Sequence, residues 1–211
     1  MEISPPTAPT PPHAGYSPSE PAGSLDISRQ QPLVLPGYTW AQYLSLDELF
    51  HGSGTRVRFL DHTLEIMPPI SASHEGRKKH LGCLVEAWCL HKGIELFGSG
   101  SATLKVPGEA GGEPDESYSV GTDKPIPDLV IEVALTSGGL SKRAFYSRFQ
   151  VPELWIWRDE ALEVHLFDTA TAAYVPSAES RVLPGLDLAA VAECAVLPSI
   201  TQAVAAFRKR L

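Results

Sequence analysis

Pro127-Asp-Leu-Val-Ile-Glu-Val133 is the stretch on which the fold turns. From Leu129 onward it is apolar on both parities, rich in β-branched residues, and continues into Ala134 and Leu135. A strand with one wet face alternates; this one does not, which predicts a central strand covered on both faces. Glu132 then sits where a lone carboxylate costs several kcal/mol as an order of magnitude, so it needs a cationic partner or a metal. An ion pair with a buried Arg and a place in a metal site are both open from this residue alone.

Working outward, residues 140–149 read as a helix, Glu153-Leu-Trp-Ile-Trp157 as a second buried strand and Leu162-Glu-Val-His-Leu-Phe167 as an outer one. Residues 199–210 read as a helix with Ile200, Val204 and Phe207 on one side. Upstream, Leu81, Leu84, Val85, Trp88 and Cys89 form one apolar helical stripe, and Gly93 is placed as its stop. Strand-like runs cover 94–106 and 115–120. Arg56-Val-Arg-Phe-Leu60 and Thr63-Leu-Glu-Ile-Met67 alternate around Asp61-His62, a hairpin pattern. Thr39 can cap a short helix through Trp40, Tyr43 and Leu44, and residues 45–50 read as another helical turn. Gly98-Ser-Gly100 and Gly111-Gly112 read as turns. The order predicts an α/β (α+β) domain, one mixed sheet flanked by helices, over residues 37–211.

Residues 1–36 hold nine of the 19 Pro, spaced by Ser, Thr, Gly and Ala, and predict a disordered Pro-rich N-terminal tail. Its net charge of −2, out of −8 for the chain, leaves the remainder acidic. An acidic chain does not coat nucleic acid through its overall field. A metal-dependent phosphodiesterase site is itself built from carboxylates, so the charge does not exclude a nuclease. The apolar runs are far short of the roughly 20 residues of a membrane span, and three Cys cannot form a disulfide framework. No basic segment followed by an apolar stretch opens the chain, so a cytoplasmic protein is the expectation.

Asp115 follows Pro114, 17 positions before Glu132, and Asp128 heads the same strand as Glu132. Two carboxylates on adjacent strands are a common way to hold a hard divalent cation. Lys142 lies 10 residues after Glu132 at the start of a helix, where its ammonium can reach back to the strand end. Carboxylates, a metal and a lysine meet the needs of phosphodiester hydrolysis; a solvated lysine in a first turn is the plainer reading. His80, Cys83, Cys89 and His91 lack a CxxC pair, and core and surface roles suit them better than zinc. Arg77, Lys78 and Lys79 form a basic cluster that either contacts DNA phosphates or is a solvated helix face.

Pro114-Asp115, Pro127-Asp-Leu-Val-Ile-Glu-Val133, Lys142-x-x-x-Tyr146 and Val151-Pro-Glu-Leu-Trp-Ile-Trp157 together resemble the Uma-two family of restriction-endonuclease-like proteins, within the PD-(D/E)xK nuclease superfamily. Leu64-Glu-Ile-Met-Pro-Pro69 followed by His74 resembles the family's N-terminal strand, loop and His, so the likeness spans about 38–167. It implies a mixed central sheet, a divalent-metal site taking Mg²⁺ or Mn²⁺, and DNA phosphodiester cleavage. By position, Asp115 matches the PD aspartate and Glu132 the strand glutamate, both metal ligands, with the Val133 carbonyl a further one. The wider superfamily's lysine position is Ala134 here, and Lys142, four residues before Tyr146, fits as a migrated catalytic lysine. Glu65 and His74 are secondary candidates. Glu65 alternates with Leu64 and Ile66 and reads as an exposed strand residue, while His74 reads as capping material or as a group orienting a carboxylate. The acid that the family often carries before its lysine is missing from residues 135–141, so a catalytically degenerate nuclease-fold binding or assembly module is the alternative. Analogy with restriction-like folds adds a homodimer as the expected assembly.

Overall fold

The computed structural model describes residues 31–69, 71–134 and 139–211. Strand β1 (Leu33–Pro36) is followed by helix α1 (Trp40–Phe50), the hairpin β2 (Arg56–Leu60) and β3 (Thr63–Met67), and the long helix α2 (Ala72–Lys92). Short strands β4 (Leu96–Gly98), β5 (Leu104–Val106) and β6 (Ala110–Gly112) lead into β7 (Glu116–Val120) and the central β8 (Leu129–Val133). Helix α3 (Lys142–Ser147), strands β9 (Glu153–Arg158), β10 (Ala161–Asp168) and β11 (Ala173–Ser177), and helices α4 (Leu188–Ala195) and α5 (Ile200–Arg208) complete the chain.

Two sheets result. One is antiparallel in the order β1-β3-β2-β6-β5, and the other is mixed, β11-β10-β9-β8-β7-β4, with β8 and β9 parallel. The α/β (α+β) class follows from that mixed sheet and its flanking helices. As its sequence, apolar on both parities around Glu132, requires, β8 is buried throughout. Leu129, Ile131 and Val133 join the core beneath α2 and α4, while Val130 packs on the opposite face with Phe145, Tyr146 and Leu154. Glu132 shares the parity of Val130 and so faces α3 and the first sheet.

Local chemistry explains several boundaries. Asp61 and His62 take φ of 44° and 65°, the left-handed pair of a two-residue hairpin. Ser71 caps α2, and Gly93 ends it at φ 65°. Thr39 and Gln42 form a reciprocal capping box, and α1 runs unbroken where two shorter helical pieces were expected.

Other expectations are corrected. The tail boundary at residue 36 falls too late, because Leu33–Pro36 pairs with β3, its apolar residues finding an open sheet edge; residues 1–30 lie outside the described residues. The run 94–106 is two strands in two different sheets. Gly111 and Gly112 form strand β6 rather than a turn. A Cβ on Gly111 would lie 2.5 Å from the Tyr43 ring, so the glycine lets α1 close onto the sheet. β11 and α4 were not anticipated. They are tied down by Glu153, a buried carboxylate on β9 that accepts from Trp155 Nε1 and from the backbone N–H groups of Arg181 and Val182 at 2.6, 2.8 and 2.9 Å. Glu153→Ala leaves those amides unpaired and is expected to cost about 1–3 kcal/mol, read by urea unfolding.

Candidate active site

The central strand, two helices and the β2–β3 hairpin deliver their charged side chains to one buried point between the sheets. β2 places Arg56 and Arg58 on the same face, and β3 sets Glu65 directly across from Arg58. Glu132 comes from the end of β8, Asp115 from the residue before β7, His74 from the first turn of α2, and Lys142 and Tyr146 from successive turns of α3. Asp115, Glu132, Glu65 and Arg58 are each no more than 1% exposed.

The contacts form one connected network. Asp115 Oδ1 accepts from Arg56 Nη1 at 2.6 Å, and its Oδ2 accepts from the Val133 N–H at 2.7 Å and lies 3.2 Å from His74 Nε2. Glu132 Oε1 accepts from Arg58 Nη2 at 2.6 Å and from the Tyr146 hydroxyl, while Oε2 stands 3.2 Å from Lys142 Nζ. Arg58 Nη2 also donates to the Glu113 carbonyl at 2.8 Å, and its guanidinium lies over the Phe145 ring. Glu65 Oε1 accepts from the Leu140 N–H at 2.9 Å, and Oε2 lies 3.8 Å from Arg58 Nη1 without a hydrogen-bond partner among the described residues.

Each predicted residue now has a place. Asp115, Glu132 and Lys142 come together, joined through the Val133 N–H and a shared set of cations. The ion pair with a buried Arg is present as well, because Arg58 is the nearest cation to Glu132. His74 touches Asp115 rather than merely capping α2. The reading of Glu65 as an exposed strand residue is corrected. The first sheet is covered on both faces, by α1 on one side and by α3 and the mixed sheet on the other, so alternation along β3 separates two buried environments. Asp128 does not join the site; it accepts from the Val120 N–H and Lys124.

The basic cluster divides. Arg77 stacks on Trp157 and donates to the Ala195 carbonyl at the end of α4, where the helix dipole favours a cation. Its guanidinium is thereby engaged within the protein. Lys78 stands one helical turn beyond His74, 3.0 Å from Glu75, and borders an open cleft of about 350 Å³ that also exposes Arg56, His51 and Glu113. Lys79 is exposed. His80 contacts the Ala195 carbonyl, Cys89 lies in the core and Cys83 is half-buried. Of residues 135–141, from which the family's acid is missing, 135–138 lie outside the described residues.

Sequence reasoning missed Arg56, Arg58 and the positioning of Tyr146 against Glu132. The signal was available in Arg56-Val-Arg58, two cations on one strand face, opposite Glu65. Room for Arg58 comes from Gly112, whose φ is 154° and whose Cβ would fall 2.6 Å from Arg58 Cγ. Gly112→Ala is expected to cost about 1–3 kcal/mol of stability, measured by urea unfolding, through forced displacement of Arg58.

Electrostatics sharpens the contrast between the two central carboxylates. Burial works against the charge of Asp115, but His74, Arg56 and Arg58 overcome it and hold its pKa well below the ordinary 3.8. Burial dominates at Glu132 and raises its pKa, with Arg58 opposing and Asp115 adding to the rise. Arg58 keeps its charge despite complete burial, because Glu132, Tyr146 and Glu65 outweigh desolvation. Folding lowers the Asp115 pKa, so its contribution is complete above about pH 4 and is lost as the pH falls below that value. Asp115→Asn is therefore expected to flatten the acid limb of a stability-against-pH curve.

A hard divalent cation suits this donor set. Asp115 and Glu132 offer carboxylate oxygens. The Val133 carbonyl leaves β8 on the same edge as its N–H, which faces Asp115. Among the described residues no three His, Cys, Asp or Glu side chains form a ready-made cage. Two carboxylates and a carbonyl would leave the other positions of a Mg²⁺-type ion to water and phosphate oxygens, as such ions prefer. All four oxygens of Asp115 and Glu132 already meet donors of the protein, so binding would exchange some of those contacts.

Among the described residues no helix is long and apolar enough to cross a membrane. No curated protein matches the chain. The family model Uma2, described as "Putative restriction endonuclease", matches residues 40–198, well over half of the chain and including every residue of the network. By that match, the protein belongs to the Uma2 family of restriction-endonuclease-like proteins.

Proposed function

We propose that this protein is a Mg²⁺- or Mn²⁺-dependent DNA endonuclease that hydrolyses phosphodiester bonds at the network of Asp115, Glu132 and Lys142. One observation carries the reading: Lys142 Nζ stands 3.2 Å from Glu132, whose neighbour Val133 donates to Asp115 at 2.7 Å, so a lysine and two carboxylates from separate elements share one buried point. Asp115, Glu132 and the Val133 carbonyl are the groups that would hold the cation. When bound, it supplies a polarised phosphate and a water of lowered pKa. Lys142, 19% exposed at the mouth, stabilises negative charge on the phosphate or orients the water. Tyr146 holds the Glu132 carboxylate by its hydroxyl, and His74 fixes Asp115. Arg56 and Lys78, facing the adjoining cleft, are positioned for neighbouring phosphates. The domain of residues 37–211, extended by β1, carries this activity in the cytoplasm, with the Pro-rich tail outside it and a homodimer as the assembly by analogy.

The second reading, a degenerate nuclease-fold binding or assembly module, is favoured by the engagement of all four carboxylate oxygens within the protein. Supercoiled plasmid separates the two. The nuclease reading expects nicking by the purified full chain with Mg²⁺ or Mn²⁺ and none after chelation by EDTA. No nicking with either cation, on plasmid or on linear DNA, contradicts it.

A further inference from the structure

We infer that the cleft beside Asp115 takes one nucleobase turned out of the DNA stack and selects guanine through Glu113. The inference rests on the nuclease reading above and adds which nucleotide that site accepts. The cleft of about 350 Å³ adjoins the network directly, because Arg56 lines it and reaches Asp115 Oδ1 at 2.6 Å. Glu113 lines it as well, two residues before Asp115 and so no more than about 7 Å away along the backbone. A base held there belongs to the nucleotide at the cut or to its neighbour. Phe50 and His51, at the end of α1, supply rings on which an unpaired base stacks, and Thr55, Ser101 and Thr103 add hydroxyls.

The three carboxylates that line the cleft are not equivalent. Asp47 lies 2.9 Å from Lys105 Nζ and Glu75 3.0 Å from Lys78 Nζ, whereas Glu113 meets no cation among the described residues. Its carboxylate does not suit a phosphate, which is also negative. It suits neutral N–H donors, and the edge of a base that has left its pair offers them. Glu113 is also anchored: its carbonyl accepts from Arg58 Nη2 at 2.8 Å, Pro114 restricts its backbone, and Thr103 Oγ1 donates to Oε1 at 3.4 Å. A carboxylate presents two acceptors and no donor. Guanine is the base whose pairing edge carries two adjacent donors, N1–H and N2–H, and so meets both oxygens. Adenine and cytosine set one donor beside an acceptor, and thymine sets its single donor between two carbonyls, so each leaves a carboxylate oxygen facing a lone pair.

The test is the affinity of the full chain, in EDTA, for DNA duplexes that carry one unpaired nucleotide, its base guanine, adenine, cytosine or thymine in turn. Affinity is read by fluorescence anisotropy, and nicking of the same duplexes with Mg²⁺ or Mn²⁺ is followed separately. Unpaired guanine is expected to bind at least about tenfold more tightly than each other base, and than the same guanine paired with cytosine. With the cation present, the nick should fall beside the unpaired guanine. Glu113→Gln exchanges one acceptor for a donor and so matches adenine or cytosine; the preference for guanine should be lost, and one of those two should bind more tightly. A glutamate that only supports the fold does not invert a ratio between bases. Equal affinities for the four bases in wild type, or an unchanged guanine preference in Glu113→Gln, overturn the inference. Should wild type still nick in that case, the nuclease reading stands and only the base selection falls. Absence of nicking in every arm overturns both, because the base is placed beside a cut phosphate.

Discussion

Plasmid nicking by Glu132→Ala should fall to the level of a blank without protein, a loss of at least about 10³-fold in rate. Glu132 is the point on which three separately anchored groups converge, Arg58 and Lys142 by charge and Tyr146 by its hydroxyl. Removing its carboxylate takes away a proposed cation ligand and also the partner of the Lys142 ammonium. Alanine leaves Arg58 buried without its closest counter-charge as well, so loss of activity through misfolding must be separated from loss of chemistry. Glu132→Gln does so. It keeps the volume and an oxygen acceptor for Tyr146, and it should give a folded chain by circular dichroism with the same loss of nicking. Full activity in Glu132→Gln would show that the carboxylate takes no part in the reaction.

Arg58→Met is expected to destabilise the free protein by about 3–5 kcal/mol in urea unfolding, among the largest effects of any single side chain here. The cost arises from what is left behind: Glu132 and Glu65, both buried, lose the guanidinium between them. The sign reverses when the partners go too. In Arg58→Met combined with Glu132→Leu and Glu65→Leu, apolar groups replace the charges, and much of the loss should return. A triple variant no more stable than Arg58→Met would mean that the network does not owe its cost to unpaired charge.

The residues that state their surroundings locally were legible in the sequence. Apolar character on both parities set β8 as central, the stripe from Leu81 to Cys89 with Gly93 set α2, and Asp61-His62 set the hairpin. Asp115, Glu132 and Lys142 could be paired because a carboxylate in such a strand demands a partner and because their order resembled a known family. Burial of Glu65 and Arg58 was not legible, since the cover over that face of the hairpin comes from α3 and the mixed sheet, both far along the chain. Gly111 and Gly112 gave a turn signal although they serve close approach, of Tyr43 to one and Arg58 to the other. Helix α4 is only eight residues long, half of them Ala, too short for a helical period to repeat clearly in the sequence.

In the proposed reaction Asp115 and Glu132 together hold the cation that drives phosphodiester hydrolysis. Its most direct test is anomalous diffraction from crystals of the protein with a phosphorothioate duplex and Mn²⁺. One Mn²⁺ peak is expected at about 2.0–2.4 Å from oxygens of both carboxylates and the Val133 carbonyl, with phosphate and water oxygens in the other positions. A duplex bound in the cleft with no peak between Asp115 and Glu132, and with Arg56 and Lys142 still paired to those carboxylates, would contradict it.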